Sequence, residues 1–256
     1  MERGCGRSFA GKTAIVTGGG AGIGAAIARA FARAGANVAI AGRTRATLTR
    51  AAAEIEETGA AALVVPADVG VAADCERIVA ATVERFGAAD ILVNNAAHFA
   101  LVPLIEADAA IAAQFLAVNV AGPLHCARAF AAQALAAERG GAIVNVSSIA
   151  GARPAPGCGL YSASKAALDM LTRSMALEWG PRGIRVNAVA PGHVATEGVL
   201  DDFRAGRLDE QAMLASIPAR RIADPDDIAD AALFLSSDAA RHVMGQTLTV
   251  DGGEAF

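Results

Sequence analysis

The chain has 256 residues, 54% of them hydrophobic and 4% aromatic, and a formal net charge of -4. That length can bury a sizeable core in one domain, and the mildly acidic balance leaves no basic footprint for nucleic acid or an anionic membrane. No run reaches the roughly 18 apolar residues of a membrane span, and residues 1–12 lack the apolar stretch of a secretion signal, so a soluble cytoplasmic protein is expected.

In chain order, Thr13-Ala14-Ile15-Val16-Thr17 reads as a first buried strand, followed by a glycine turn and a helix through about Ala34. Further strand-length apolar runs lie at residues 38–41, 62–65, 91–93, 142–146, 184–189 and 247–250. Polar alternation is nearly absent from all seven, as expected of strands buried on both faces. Helical stretches separate them, and this β-then-α order predicts an α/β, Rossmann-like, doubly wound sheet of about seven parallel strands flanked by helices. Before the last long helix, Asp224-Pro225-Asp226-Asp227 offers an N-cap, a proline at the first helical position and early carboxylates. No linker or charge block divides the chain, so residues 1–256 read as a single dinucleotide-binding and catalytic domain. Residues 193–218 form the least regular connection, of a length used for lids, and are the expected substrate flap.

Cys5, Cys75, Cys126 and Cys158 form no CxxC pair, and His98, His125, His193 and His242 are equally dispersed. No metal site is expected, and the cysteines read as reduced, packed thiols.

The glycine turn is Thr17-Gly18-Gly19-Gly20-Ala21-Gly22-Ile23-Gly24. Bare backbone there can approach a pyrophosphate, and the helix that follows offers unpaired N–H groups and the positive end of its dipole. A glycine cluster alone also suits an ordinary tight turn. Here it is followed by Asp68-Val69, Asn94-Asn95-Ala96-Ala97, Asn119, Ser148 within Asn145-Val146-Ser147-Ser148-Ile149-Ala150-Gly151, Tyr161-Ser162-Ala163-Ser164-Lys165, and Pro191-Gly192-His193-Val194-Ala195-Thr196. From about Gly11 to Gly253, this ordered series resembles the short-chain dehydrogenase/reductase family. The resemblance implies a hydride transfer between nicotinamide and a carbonyl/alcohol pair, with Asn119, Ser148, Tyr161 and Lys165 as catalytic residues. It implies cofactor contacts from Gly18, Gly20, Ala21, Gly22, Ile23, Gly24, Asp68, Val69, Asn95, Tyr161, Lys165, Pro191, Gly192, Val194 and Thr196. It also implies a homotetramer or homodimer, with helices starting near Ile105 and Tyr161 packed between subunits. Ala97 stands where the family usually has glycine.

The residue chemistry agrees with that reading. A free phenol titrates near roughly 10, and an ammonium on the same helical face, as Lys165 is to Tyr161, is expected to lower that value. Ser148 can donate to the substrate oxygen and stabilise charge there. Ser147 is its rival, but Ser148 sits in the better register, three residues before Gly151. Asn119, by resemblance, helps hold a water that links Lys165 to solvent. The second strand ends Ile40-Ala41-Gly42-Arg43, with no carboxylate at Gly42 to hold ribose hydroxyls and with the Arg43 guanidinium suited to a 2′-phosphate. NADP is therefore the expected cofactor and NAD the runner-up. His98, Arg153, Cys158 and His193 are candidate contacts for a small carbonyl or alcohol substrate, and Val199, Leu200, Phe203 and Met213 are candidates to cover it. A nucleotide-binding sensor or scaffold is the competing function.

Overall fold

Strands β1 (Thr13–Thr17), β2 (Asn37–Gly42), β3 (Ala62–Pro66), β4 (Ile91–Asn94), β5 (Gly141–Val146), β6 (Ile184–Pro191) and β7 (Thr247–Val250) form one sheet in the order β3-β2-β1-β4-β5-β6-β7. Every pairing is parallel. The computed structural model describes residues 9–255, so the expectations for Cys5 and for residues 1–8 lie outside the described residues.

Helices α1 (Gly22–Arg33), α2 (Arg45–Glu56), α3 (Ala72–Phe86), α4 (Ala109–Leu116), α5 (Gly122–Ala136), α6 (Gly159–Trp179), α7 (Glu197–Arg204), α8 (Glu210–Ser216) and α9 (Pro225–Ser236) connect the strands. Successive strand residues point to opposite faces, and each face has its own core. Val16 joins Ile27 and Phe31 of α1, Leu48 of α2 and Ile228 of α9 on one side. Ile15 joins Ile78 of α3, Phe130 of α5 and Met175 of α6 on the other. Full burial of such a side chain contributes roughly 1.5–3 kcal/mol. Asp224 is the N-cap of α9 and Pro225 opens the helix, as expected, and the Asp227 carboxylate accepts from the Asp224 N–H at 2.8 Å.

Three expectations are corrected. The outer strands β3 and β7 are not buried on both faces; most of their residues are partly exposed, because an edge strand has a neighbour on one side and less helix above it. The connection expected to be least regular contains α7 and α8, of only eight and seven residues, too short for a clear helical period. The third correction concerns α4 and α5, which run together through a π-helical turn, Ala117–Ala121. The result is one 28-residue helix, Ala109–Ala136, with mean hydropathy 1.4 in its apolar window, long and apolar enough by length and composition to cross a membrane. Asn119 and Gly122-Pro123 interrupt the apolar run without ending the helix, since Pro123 falls in the first turn of α5. In this fold Ala127, Phe130, Ala131 and Ala134 of α5 pack into the core on that face of the sheet.

Candidate active site

The chain leaves β1 and β2 towards one edge and β4 and β5 towards the other, so β1 and β4 flank the point where the strand order reverses. Open α/β sheets bind ligands outside the carboxyl ends of such a pair. A cleft of about 360 Å³ lies there, lined by Gly18, Ala21, Ile23 and Gly24 after β1, Gly42 and Arg43 after β2, Asp68 and Val69 after β3, Asn95 after β4, and Thr196. A Cβ on Gly18 would come within 2.7 Å of Asn95 Nδ2, and one on Gly24 would collide with the Gly18 carbonyl oxygen. Only glycine permits that approach, and φ at Gly18 is 67°. The N-cap of α1 is Ala21, which provides no side-chain acceptor for the first N–H groups of the helix. A bare glycine turn leading to an uncapped helix N-terminus fits a dinucleotide pyrophosphate. Asn95 braces the turn, its Nδ2 donating to the Thr17 carbonyl at 2.9 Å and its N–H to Thr17 Oγ1 at 3.0 Å.

Beyond the carboxyl end of β5, Ser148 caps a short turn by accepting from the Ala150 N–H at 3.1 Å. Ser148 also stands beside the Tyr161 phenol in the first turn of α6, close enough to favour its ionised form. Lys165, one turn further on, lies with Nζ 5.6 Å from the Tyr161 ring centroid and donates to the Val146 carbonyl at 2.7 Å. Asn119, in the π-turn, donates to Ser164 Oγ at 2.9 Å, and that hydroxyl donates to the Tyr161 carbonyl at 2.7 Å. Hydrogen bonds through Ser164 join Asn119 to Tyr161, Lys165 lies by the ring, and Ser148 stands beside the phenol. Ser147 is separate from the phenol: it is buried, and its Oγ lies 3.5 Å from the Lys165 carbonyl.

The charge pattern corrects one expectation. Burial pushes the Tyr161 phenol above its usual range, the neighbouring Ser148 hydroxyl opposes that rise, and nearby Cys158 adds to it. Lys165 does not lower it, because the ammonium is turned onto the Val146 carbonyl. Burial instead drives Lys165 itself down to about 8, against the pull of the Asp169 carboxylate.

Not every expected contact lines the cleft. Gly20 faces α2, where an added Cβ would lie 2.9 Å from Thr47 Oγ1. Gly22 is close to Thr196, with 3.3 Å between a notional Cβ and Thr196 Cγ2, so the segment after β6 closes onto the glycine turn. Pro191 and Val194 are buried beneath it, and Tyr161 and Lys165 stand to one side of the cleft. Ala67, Ala96, Gln114 and Val118 line it without having been singled out; they carry no distinctive chemistry, and Gln114 and Val118 arrive from a helix some twenty residues beyond β4. Among the substrate candidates, the His98 ring stacks edge-on against Phe115, and Arg153 donates to the Glu254 carbonyl at 2.7 Å. His193 Nδ1 is 2.6 Å from Glu254 Oε1. Among the described residues no cluster of His, Cys, Asp and Glu could hold a metal ion, and Cys75, Cys126 and Cys158 are free thiols. Cys75 and Cys126, far apart in sequence, are neighbours between α3 and α5, and the Cys75 thiol and burial raise the Cys126 thiol above its usual range.

A family model described as enoyl-(acyl carrier protein) reductase matches residues 18–254. The chain is 39% identical to a short chain dehydrogenase/reductase of Aspergillus oryzae, over 96% of this chain and 95% of that one. It is 45% identical to galactitol 2-dehydrogenase (L-tagatose-forming) of Cereibacter sphaeroides, over 95% and 94% of the two chains. The solved structure of an NAD+-bound xylitol dehydrogenase superposes with a TM-score of 0.90 at 32% identity, covering 96% of this chain and 99% of that one.

Proposed function

The chain belongs to the short-chain dehydrogenase/reductase family and is an NAD(P)-dependent oxidoreductase of alcohols or carbonyls; from that premise we propose that Tyr161 exchanges the proton of the substrate oxygen. The observation that carries this reading is the placing of Ser148 beside the Tyr161 phenol, with the Lys165 ammonium 5.6 Å from the ring centroid. Bound nicotinamide supplies the hydride for reduction or accepts it in oxidation. Ser148 orients the substrate oxygen and stabilises negative charge as it develops. Tyr161 donates its phenolic proton to that oxygen, and in the reverse direction takes it back. Lys165, its pKa lowered to about 8 by burial, releases the Val146 carbonyl to hold the cofactor ribose. Asn119 fixes the backbone through which a water relay reaches Lys165.

Gly18, Gly20, Ala21, Gly22, Ile23 and Gly24 would cradle the pyrophosphate, Asp68, Val69 and Asn95 the adenosine side and the nicotinamide ribose, and Pro191, Gly192, Val194 and Thr196 the carboxamide. Arg43, exposed on the cleft wall without a protein partner among the described residues, supports NADP over NAD. Residues 1–256 act as one dinucleotide-binding and catalytic unit, with residues 193–218 closing over substrate.

The protein is further proposed to be a cytoplasmic homotetramer, or homodimer. Exposed apolar side chains support assembly: Ile105 at 95%, Leu104 and Leu116 near α4, and Met170 and Leu177 at 57% and 81% on α6. Such a surface suits helix packing between copies better than water.

The test is a panel of ketones, aldehydes and alcohols assayed with both cofactors, polyols first because two similar proteins are named for sugar alcohols. Cofactor turnover with a carbonyl or alcohol, abolished by Tyr161→Phe, is expected; turnover with none, or turnover untouched by that substitution, overturns the reading.

A further inference from the structure

The residues that follow β7 are folded back between the loop that joins Ser148 to Tyr161 and the segment after β6. Asp251 starts the turn, its carboxylate accepting from the Gly253 N–H at 2.9 Å and the Ala255 N–H at 2.8 Å. That turn brings Glu254 against two different walls. Its carbonyl accepts from Arg153, in the loop between Ser148 and Tyr161, at 2.7 Å. Its carboxylate reaches the segment after β6, where Oε2 accepts from the His193 N–H at 3.1 Å and Oε1 lies 2.6 Å from His193 Nδ1. A Cβ on Gly192 would be 2.6 Å from Oε2, which shows how closely the carboxylate sits against this segment. The Glu254 side chain is 10% exposed and that of His193 44%.

A carboxylate can only accept, so Nδ1 carries the ring proton in this pair. In the neutral imidazole that assigns a lone pair to Nε2, which has no protein partner among the described residues. Arg153 is held by the Glu254 backbone carbonyl, while the Glu254 carboxylate is committed to His193. A free lone pair at Nε2 favours a substrate with a hydroxyl to donate.

We infer that the His193–Glu254 pair is a second substrate anchor, in which Glu254 positions the imidazole so that Nε2 accepts a hydrogen bond from a hydroxyl adjacent to the reacting carbon. The preferred substrates are then α-hydroxy ketones and the vicinal diols they interconvert with. This rests on the carbonyl/alcohol reading of the site. Glu254 touches no substrate and is a positioning residue.

Butanone and acetoin, which differ by one hydroxyl, distinguish the possibilities when kcat and KM are measured for wild type, His193→Ala and Glu254→Gln. A hydrogen bond of ordinary strength corresponds to about tenfold, so wild type is expected to prefer acetoin by about that factor in kcat/KM. Both variants are expected to bring the acetoin/butanone ratio close to one, chiefly through KM for acetoin. Glu254→Gln keeps the volume but gives one acceptor to two N–H groups, and a purely structural role would lower both substrates together. A wild-type ratio near one, or variants that keep the preference, overturns the anchor and leaves the carbonyl reading standing. Turnover of neither substrate, nor of the matching alcohols, by wild type overturns both.

Discussion

Asn119 holds the backbone of His98 with both ends of its amide: Oδ1 accepts from the His98 N–H at 2.7 Å, and Nδ2 donates to the His98 carbonyl at 2.9 Å. Both groups follow β4 at the rim of the cleft, where a loop would otherwise satisfy them with water. Asn119→Ala leaves a donor and an acceptor unpaired at a buried position, which costs about 1–3 kcal/mol. Urea unfolding is expected to show that loss, together with a fall in kcat of tenfold or more. A variant as stable and as active as wild type would mean that the clamp contributes nothing.

Tyr161→Phe keeps the ring and its edge-on contact with Phe99 while removing the proton. Turnover is expected to fall by roughly 10²–10⁴-fold, with cofactor affinity, read by fluorescence titration, little changed. Ser148→Ala should approach the same loss. Ser147→Ala should act mainly on stability, since its hydroxyl faces the Lys165 carbonyl rather than the phenol; steady-state kinetics that rank the two serines the other way would move the substrate contact by one residue.

Arg43→Ala tests cofactor choice. Charged hydrogen bonds contribute about 1.5–3 kcal/mol, so the ratio of kcat/KM for NADP over NAD should drop by one to two orders of magnitude. Wild-type preference for NAD, or a ratio indifferent to the substitution, would remove Arg43 from recognition of the 2′-phosphate.

Lys165 carries a pH dependence of definite sign. Its native pKa is depressed from 10.5 to about 8, so between those values the unfolded chain binds a proton that the folded chain has released. The stability linked to this group is present above pH 10.5 and is lost as pH falls through 8. At neutral pH the buried ammonium therefore weighs against folding. Lys165→Met is expected to abolish turnover yet raise the thermal midpoint at pH 7 by about 2–4 °C, and to remove the gain in stability that wild type shows between pH 8 and 10.5. Calorimetry across that range checks both; a lower midpoint at pH 7 would show that the bond to the Val146 carbonyl outweighs the burial of charge.

Much of the fold was legible because its signals are local. The apolar runs at residues 13–17 and 247–250 coincide with β1 and β7, and the order of strands and helices gave the doubly wound topology. What escaped depends on partners far away in the chain. Edge exposure of β3 and β7 follows from strand order, which no single run encodes. His193 and Glu254 are 61 residues apart, and nothing near either names the other. Cys75 and Cys126 meet only because α3 packs on α5. The electrostatics of Tyr161 went astray for a related reason: i to i+4 spacing brings Lys165 beneath the ring but does not say which acceptor the ammonium takes or how far burial has shifted both groups.

The π-helical turn at Ala117–Ala121 has a consequence for how the long helix Ala109–Ala136 tolerates change. One extra residue within a regular helix advances everything after it by about 100° around the axis. The rod therefore has two azimuths, one directing Phe115 beside His98 and the other directing Phe130 into the core, with Asn119 at the splice. Removing a single residue there would mend the helical ladder and rotate α5 out of phase with the sheet. Length, more than residue identity, is what selection must guard at that point, and a one-codon deletion should do more damage than almost any substitution in the same turn.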